Sequence, residues 1–243
     1  MDKLTDELHK NINLENVEKI KELIKNGANV NSYHIFGLTP LTKACYINNL
    51  DIVKYLVENG ADINLHDKYG STPLITACDR NNLGIVKYLV GNGANINLHA
   101  IYTSFTPLIT ACDKNNLDIV KYLVENDAYI NLHDKHGKTP LFYACDKIRP
   151  NKDIIEFLIL NGADYEKSII CIKKLFNKNK LTEIIRIGDE KNIEKISTIK
   201  SAKKEKPDFG YRKNIKKSRI KKSRRKKSRS KYIRKSNNKY RRK

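Results

Sequence analysis

The triplet Thr-Pro-Leu occurs four times, at Thr39-Pro40-Leu41, Thr72-Pro73-Leu74, Thr106-Pro107-Leu108 and Thr139-Pro140-Leu141, in steps of 33, 34 and 33 residues. A second landmark keeps the same period. Asn-Gly-Ala stands at 26–28, 59–61, 92–94 and 161–163, and Asn126-Asp127-Ala128 fills the remaining place. NNLDIVKYLVEN is identical at 48–59 and 115–126, and TPLITACD at 72–79 and 106–113, which points to duplication. A fixed period of this length means stacked supersecondary units, because one such unit cannot bury its own apolar face.

The content of one unit follows from local chemistry. Thr39 stands where a helix N-cap belongs, and Pro40 follows at the first helical position, where its missing N–H costs nothing. Leu41, Ala44 and Cys45 continue at helical spacing. Asn48 and Asn49 break that helix, since Asn tolerates the left-handed conformation. Ile52, Val53, Leu56 and Val57 make the apolar stripe of a second helix, which Gly60 ends. Residues 62–70 then form an extended turn leading to the next Thr-Pro-Leu. The expected class is all-α: stacked helix-turn-helix units with extended turns between them.

On these residues the chain resembles the ankyrin repeat, whose motif is Gly-x-Thr-Pro-Leu-His-x-Ala followed by Ile-Val-x-x-Leu-Leu-x-x-Gly-Ala-Asp-Val-Asn. The resemblance covers 32–166 as four repeats, 32–64, 65–97, 98–131 and 132–166. The usual His is replaced by Thr42, Ile75, Ile109 and Phe142. The third repeat has one extra residue in its turn and no Gly there, and the fourth has Pro150 and two extra residues between its helices. Residues 1–31 read as a degenerate capping repeat in which Leu8 stands opposite Leu41 and Asp6 replaces the capping Thr. Residues 167–199 read as a closing helical cap, with Ile169, Ile172 and Phe176 on one helix and Leu181, Ile184 and Ile185 on another.

Candidates for chemistry recur with the repeat, as structural residues do. Cys45, Cys78, Cys112 and Cys145 share one position, but stacked helices lie about 8–10 Å apart and a disulfide needs Cα atoms within roughly 7 Å. They are expected as reduced, buried thiols, with Cys171 alone in a packing role. The same spacing keeps His66, His99 and His133 from converging on a metal. No phosphate-binding glycine loop, His-Glu-x-x-His or nucleophile elbow is present. The chain reads as non-catalytic, with no cofactor.

The ankyrin resemblance implies instead a binding surface for a protein partner, made of the turn tips and the exposed face of each first helix. The matching positions are Ile35, Phe36, Leu38 and Tyr46 in the first full repeat. Next come Lys68, Tyr69 and Arg80, then Tyr102 and Lys114, then His136, with Asp79, Asp113, Asp146 and Lys147 beside them. The first group is apolar, as contact sites tend to be. The competing reading packs Ile35 and Phe36 against the amino-terminal cap.

Charge divides the chain. Its net charge is +21, from 48 basic and 27 acidic residues. Residues 200–243 hold 23 Lys and Arg against Glu205 and Asp208, so the preceding part is balanced. That segment has few apolar residues and is expected to be disordered alone. KKSR recurs within it at 216–219, 221–224 and 226–229, with Tyr211, Tyr232 and Tyr240 interleaved. The run Lys221, Lys222, Arg224, Arg225, Lys226 and Lys227 suits an import receptor or RNA and DNA phosphates. Attachment to acidic membrane surfaces and a solvated tail with no partner stay open. The amino terminus lacks a secretory signal's basic start and apolar run, and no apolar stretch is long enough to span a membrane.

The combined expectation is a monomeric, intracellular, non-catalytic adaptor, with the nucleus suggested by its basic tail. The alternative is a nucleic-acid-binding protein acting through that tail, with the helical stack as a spacer.

Overall fold

The computed structural model describes residues 3–190. The basic segment 200–243, including Lys221, Lys222, Arg224, Arg225, Lys226 and Lys227, lies outside the described residues, as do 191–199. The described chain is all helix and turn, and its helices come in pairs: α1 (Lys3–Asn13) with α2 (Val17–Lys25), α3 (Pro40–Tyr46) with α4 (Leu50–Glu58), and α5 (Pro73–Asp79) with α6 (Leu83–Gly91). α7 (Pro107–Asp113) with α8 (Leu117–Glu125) and α9 (Pro140–Cys145) with α10 (Lys152–Leu160) continue the series. A short 3-10 turn, Glu166–Ser168, then leads to α11 (Ile169–Leu175), and residues 178–190 are helical again.

Each first helix starts for the same reason. The hydroxyls of Thr39, Thr72, Thr106 and Thr139 accept from the amides of Thr42, Ile75, Ile109 and Phe142, with Pro at the first helical position each time. Each cap of this kind stabilises by about 1 kcal/mol. The breaker is a residue pair with two jobs. Asn48, Asn81 and Asn115 take positive φ and close the first helix. Their neighbours Asn49, Asn82 and Asn116 then cap the second helix by accepting from the Ile52, Ile85 and Ile119 amides.

α1 corrects the amino-terminal reading. Asp6 lies inside α1 and does not cap it. Glu7 occupies the position that Pro holds in later repeats, so nothing prevents the helix from running upstream.

The core is a ladder of equivalent positions. Leu41, Leu74, Leu108 and Leu141 stack with Ala44, Ala77, Ala111 and Ala144 and with Leu56, Leu89, Leu123 and Leu158, all essentially without exposure. Cys45, Cys78 and Cys112 are fully buried there, but Cys145 is only half-buried. The expectation of four buried thiols fails at that position because α9 stops at Cys145, one residue earlier than α5 and α7 stop at Asp79 and Asp113. Cys171 is not alone either: its Sγ lies 3.5 Å from the Cys145 carbonyl oxygen.

A second ladder runs along the turns. Asn31, Asn64, Asn97 and Asn131 each donate from the side-chain amide to a carbonyl at the next second helix's end, those of Gly60, Gly93, Asp127 and Gly162. Each also accepts from a backbone amide just beyond, that of Asp62, Asn95, Tyr129 or Asp164, at 2.7–2.8 Å. These amides set the spacing between repeats and satisfy backbone groups that the turns would leave unpaired.

At the carboxyl end, the 178–190 helix buries Leu181 and Ile184 and covers α10. A Cβ at Gly188 would lie 2.6 Å from the Ile159 carbonyl oxygen, so only glycine permits this approach.

Candidate functional site

The turn tips are joined by backbone. The Lys68 amide donates to the Gly37 carbonyl at 2.9 Å, and the Ile101 amide to the Gly70 carbonyl at 2.8 Å. Gly70 has φ +75° and a Cβ there would meet Ile101 Cβ at 2.8 Å, so this tip needs glycine for both conformation and space. The longer third turn has no glycine. Ser104 takes the positive φ instead, and its amide closes the turn onto the Ala100 carbonyl.

Along these tips, Ile35, Phe36, Tyr69, Ile101 and Tyr102 are exposed, Ile35 at 72% and Phe36 at 68%. Phe36 rests against the His34 ring with centroids 5.1 Å apart, and His34 against His9 at 5.0 Å. Lys68 reaches toward the Tyr33 ring at 5.9 Å. His136 is exposed, and its amide donates to Asp134 Oδ1 at 2.8 Å.

Beside the tips lies a cleft of about 290 Å³. Among its lining residues are Leu38, Tyr46, Tyr69, Asp79, Phe105 and Asp113. Five of the sequence-predicted positions, Leu38, Tyr46, Tyr69, Asp79 and Asp113, therefore share one cavity. Arg80 stacks on the outer part of this group, its guanidinium carbon 3.4 Å from the centre of the Tyr46 ring. Lys114 pairs with Asp79 at 2.9 Å, and Lys147 pairs with Asp113. Lys68, Tyr102 and His136 do not line this cleft.

Sequence reasoning missed the cross-repeat ion pairs. The signal was present, since Asp79 and Lys114, and Asp113 and Lys147, stand one repeat plus one residue apart. It also missed Tyr143, whose hydroxyl donates to Asp134 Oδ2 at 2.7 Å and whose ring meets Phe105 edge-on.

Electrostatics differs along the tips. Burial raises the Asp67 carboxyl, and the Ser71 and Tyr69 amides offset this only in part. Burial pushes Asp134 the same way, but the Tyr143 hydroxyl and the Lys138 and His136 amides outweigh it and hold the group below its ordinary value.

The family model described as ankyrin repeats (3 copies) matches residues 8–100 and again 99–169. A comparison with curated proteins finds no match. Ankyrin repeats generally mediate protein–protein interaction, and their fold is typically non-catalytic. Among the described residues, no helix is long and apolar enough to cross a membrane. Stacked helix pairs capped by Thr-Pro, joined through their turn tips and matched over residues 8–169, make one conclusion plain: the chain belongs to the ankyrin-repeat family.

Proposed function

We propose that this protein is a non-catalytic, monomeric adaptor. Its repeats at 32–64, 65–97, 98–131 and 132–166 hold a protein partner, capped by 1–31 and 167–199. The partner rests on Ile35, Phe36, Leu38, Tyr46, Lys68, Tyr69, Arg80, Tyr102, Lys114 and His136. One observation supports this reading most. Ile35, Phe36, Tyr69, Ile101 and Tyr102 are exposed on successive tips, with Tyr46 exposed beside them. Single exposed apolar residues are ordinary, whereas a continuous row marks a contact site.

The experiment is capture of partners by the full chain and by a Phe36→Ser, Tyr69→Ser, Tyr102→Ser variant. The expected result is loss of a captured protein with an unchanged melting temperature. Capture that survives this variant would remove the tips from the interface.

The tail carries the rest of the proposal. All of the net positive charge falls in 200–243, and Lys221 to Lys227 suit an import receptor and a nuclear destination. The same charge favours a second reading, direct RNA or DNA binding with the stack as spacer. Phosphate neutralisation gives a slope of log K against log salt of about −0.7 to −0.9 per contact. Cutting after Ile199 separates the two: loss of nucleic-acid binding with retention of the protein partner supports the adaptor, and loss of every partner supports the second reading.

A further inference from the structure

The carboxyl end of the stack contains a thiol pair that the repeat pattern does not predict. Cys145 ends α9, and Cys171 stands in the first turns of α11. The Cys171 sulfur donates to the Cys145 carbonyl oxygen at 3.5 Å, which places it beside the backbone of the residue that bears the other thiol. Both residues are half-buried and both line one open cavity of about 460 Å³, together with Phe142, Lys147, Ile170 and Lys174. Cys45, Cys78 and Cys112 differ on each count, being fully buried and each in its own repeat.

We propose that Cys145 and Cys171 are a reversible oxidation site, at which a hydroperoxide converts the thiol pair into a disulfide that ties α11 to the last repeat. The chemistry balances with hydrogen peroxide as the oxidant. The Cys171 sulfur attacks one peroxide oxygen, breaking the O–O bond and releasing water, and becomes a sulfenic acid. The Cys145 sulfur then attacks Cys171 and displaces the hydroxyl as a second water. Two S–H bonds and one O–O bond break, one S–S bond and two O–H bonds form, and two electrons pass from sulfur to oxygen.

The direction of attack follows from the surroundings. Burial, and then the neighbouring Cys171 thiol, raise the Cys145 thiol, which holds it in the protonated form that does not attack peroxide. The Cys145 thiol nevertheless interacts directly with the Cys171 thiol, so it is placed to attack the sulfenic acid once that forms. The open cavity admits a small peroxide. The three core thiols lack such access, and burial raises each of them as well. The bond would close a loop across the 3-10 turn at Glu166–Ser168, where no side-chain cap holds the start of α11.

The test treats the full chain with hydrogen peroxide under native conditions, blocks the remaining thiols, and maps the peptides. The expected product is one linked peptide pair containing Cys145 and Cys171, two mass units lighter than its thiol form and restored by dithiothreitol. Cys45, Cys78 and Cys112 are expected to be recovered as thiols. Amide exchange over 169–175 should slow several-fold in the oxidised form and return on reduction. Cys145→Ala should leave Cys171 as a sulfenic acid that dimedone traps, or, without dimedone, as a sulfinic or sulfonic acid. If Cys145 and Cys171 instead end as separate oxidised acids in the native chain, or are linked only after unfolding in urea, the proposal is wrong. The native peptide map decides this even if the variant fails to fold.

Discussion

The two ends of the stack hold opposite solutions at one register position. In each repeat, one turn residue and the fourth residue of the following first helix hold equivalent positions. The pairs are His34 with Lys43, Asp67 with Thr76, Ala100 with Thr110, and Asp134 with Tyr143. At the amino end the pair is basic on both sides. Burial and then Lys43 lower His34, and burial lowers Lys43 itself. At the carboxyl end, a buried carboxylate receives a phenol hydrogen bond at 2.7 Å and two turn amides. The middle repeats carry a small Thr there: Asp67 is a buried carboxylate that accepts from two turn amides but from no phenol, and Ala100 bears no charge. Repeats that are nearly identical in sequence therefore sit between two electrostatically distinct ends. The amino end should fail in acid, and the carboxyl end should hold longer.

The largest expected effect tests the amino end. His9 is fully buried, and its Nε2 lies 3.1 Å from the Ser32 hydroxyl. That hydroxyl already donates to the Asn29 carbonyl, so Nε2 carries the proton and Nδ1 is the bare nitrogen. Nδ1 is buried with no partner. Burial first, then His34 and Lys43, lower His9 from 6.5 to about 4. Between those values the unfolded chain binds a proton that the folded chain refuses. Stability is therefore full above pH 6.5 and falls toward pH 4, by about 3 kcal/mol. Thermal melts at pH 7 and pH 4.5 should show this loss, with proteolysis in acid starting within residues 3–31. His9→Leu should remove most of it. An undiminished acid loss in that variant would place the weakness elsewhere.

The next effect tests the carboxyl end. Asp134→Asn removes the charge that accepts from Tyr143 and should cost about 1.5–3 kcal/mol at neutral pH. Because Asp134 is held below its ordinary value, its contribution is present above that value and is lost as pH falls through the lowered one. Asp67 has the opposite sign. Its raised carboxyl favours the fold in acid, and that contribution is lost as pH rises. Asp67→Asn keeps the acceptor for the Tyr69 and Ser71 amides and should change stability at neutral pH by less than about 1 kcal/mol. Equal losses in the two variants, measured by urea denaturation, would erase the distinction between middle and end.

What was legible in the sequence follows the same division. Thr-Pro caps, Asn corners and the Leu-Ala-Cys ladder are local or periodic, and periodic residues share an environment. Asp6 and Cys145 were misread because equivalence was extended past the residues that create it: Glu7 replaces Pro, and α9 ends early. The cleft was half legible. Leu38, Tyr46 and Tyr69 came from their place in the repeat, but Phe105 lies in a turn whose extra residue shifts the register. The Asp134–Tyr143 bond and the approach of Cys171 to Cys145 had no sequence signal, since each depends on a residue, Tyr143 or Cys171, that no other repeat carries.

A smaller effect compares packing at one register position. Cys112→Leu inserts bulk into a filled core and should cost about 1–3 kcal/mol. At Cys145 the same change meets the cavity of about 460 Å³ and should cost less than about 1 kcal/mol. Midpoints of urea denaturation read the difference directly, and a Cys145→Leu loss as large as that of Cys112→Leu would mean the cavity gives no room.

The smallest effect concerns the ion pairs between successive repeats. Lys114 and Asp79 are 37% and 48% exposed, so water and salt screen their attraction. Lys114→Ala should shift stability by no more than about 0.5 kcal/mol, and less at high salt. Lys147 and Asp113 are less exposed, at 26% and 34%, so Lys147→Ala should cost somewhat more, up to about 1 kcal/mol. The two lysines hold carboxylates that line the cleft, and removing either leaves a free negative charge beside Tyr46 and Tyr69. A partner that inserts a cation there should bind the Lys114→Ala protein more tightly, and one that uses the lysine should bind it more weakly. Either change, at nearly constant stability, separates the pair's role in recognition from its role in folding. A stability loss matching that of Asp134→Asn would mean the exposed middle pair is as structural as the buried carboxylate, and the contrast between the ends and the middle would fail.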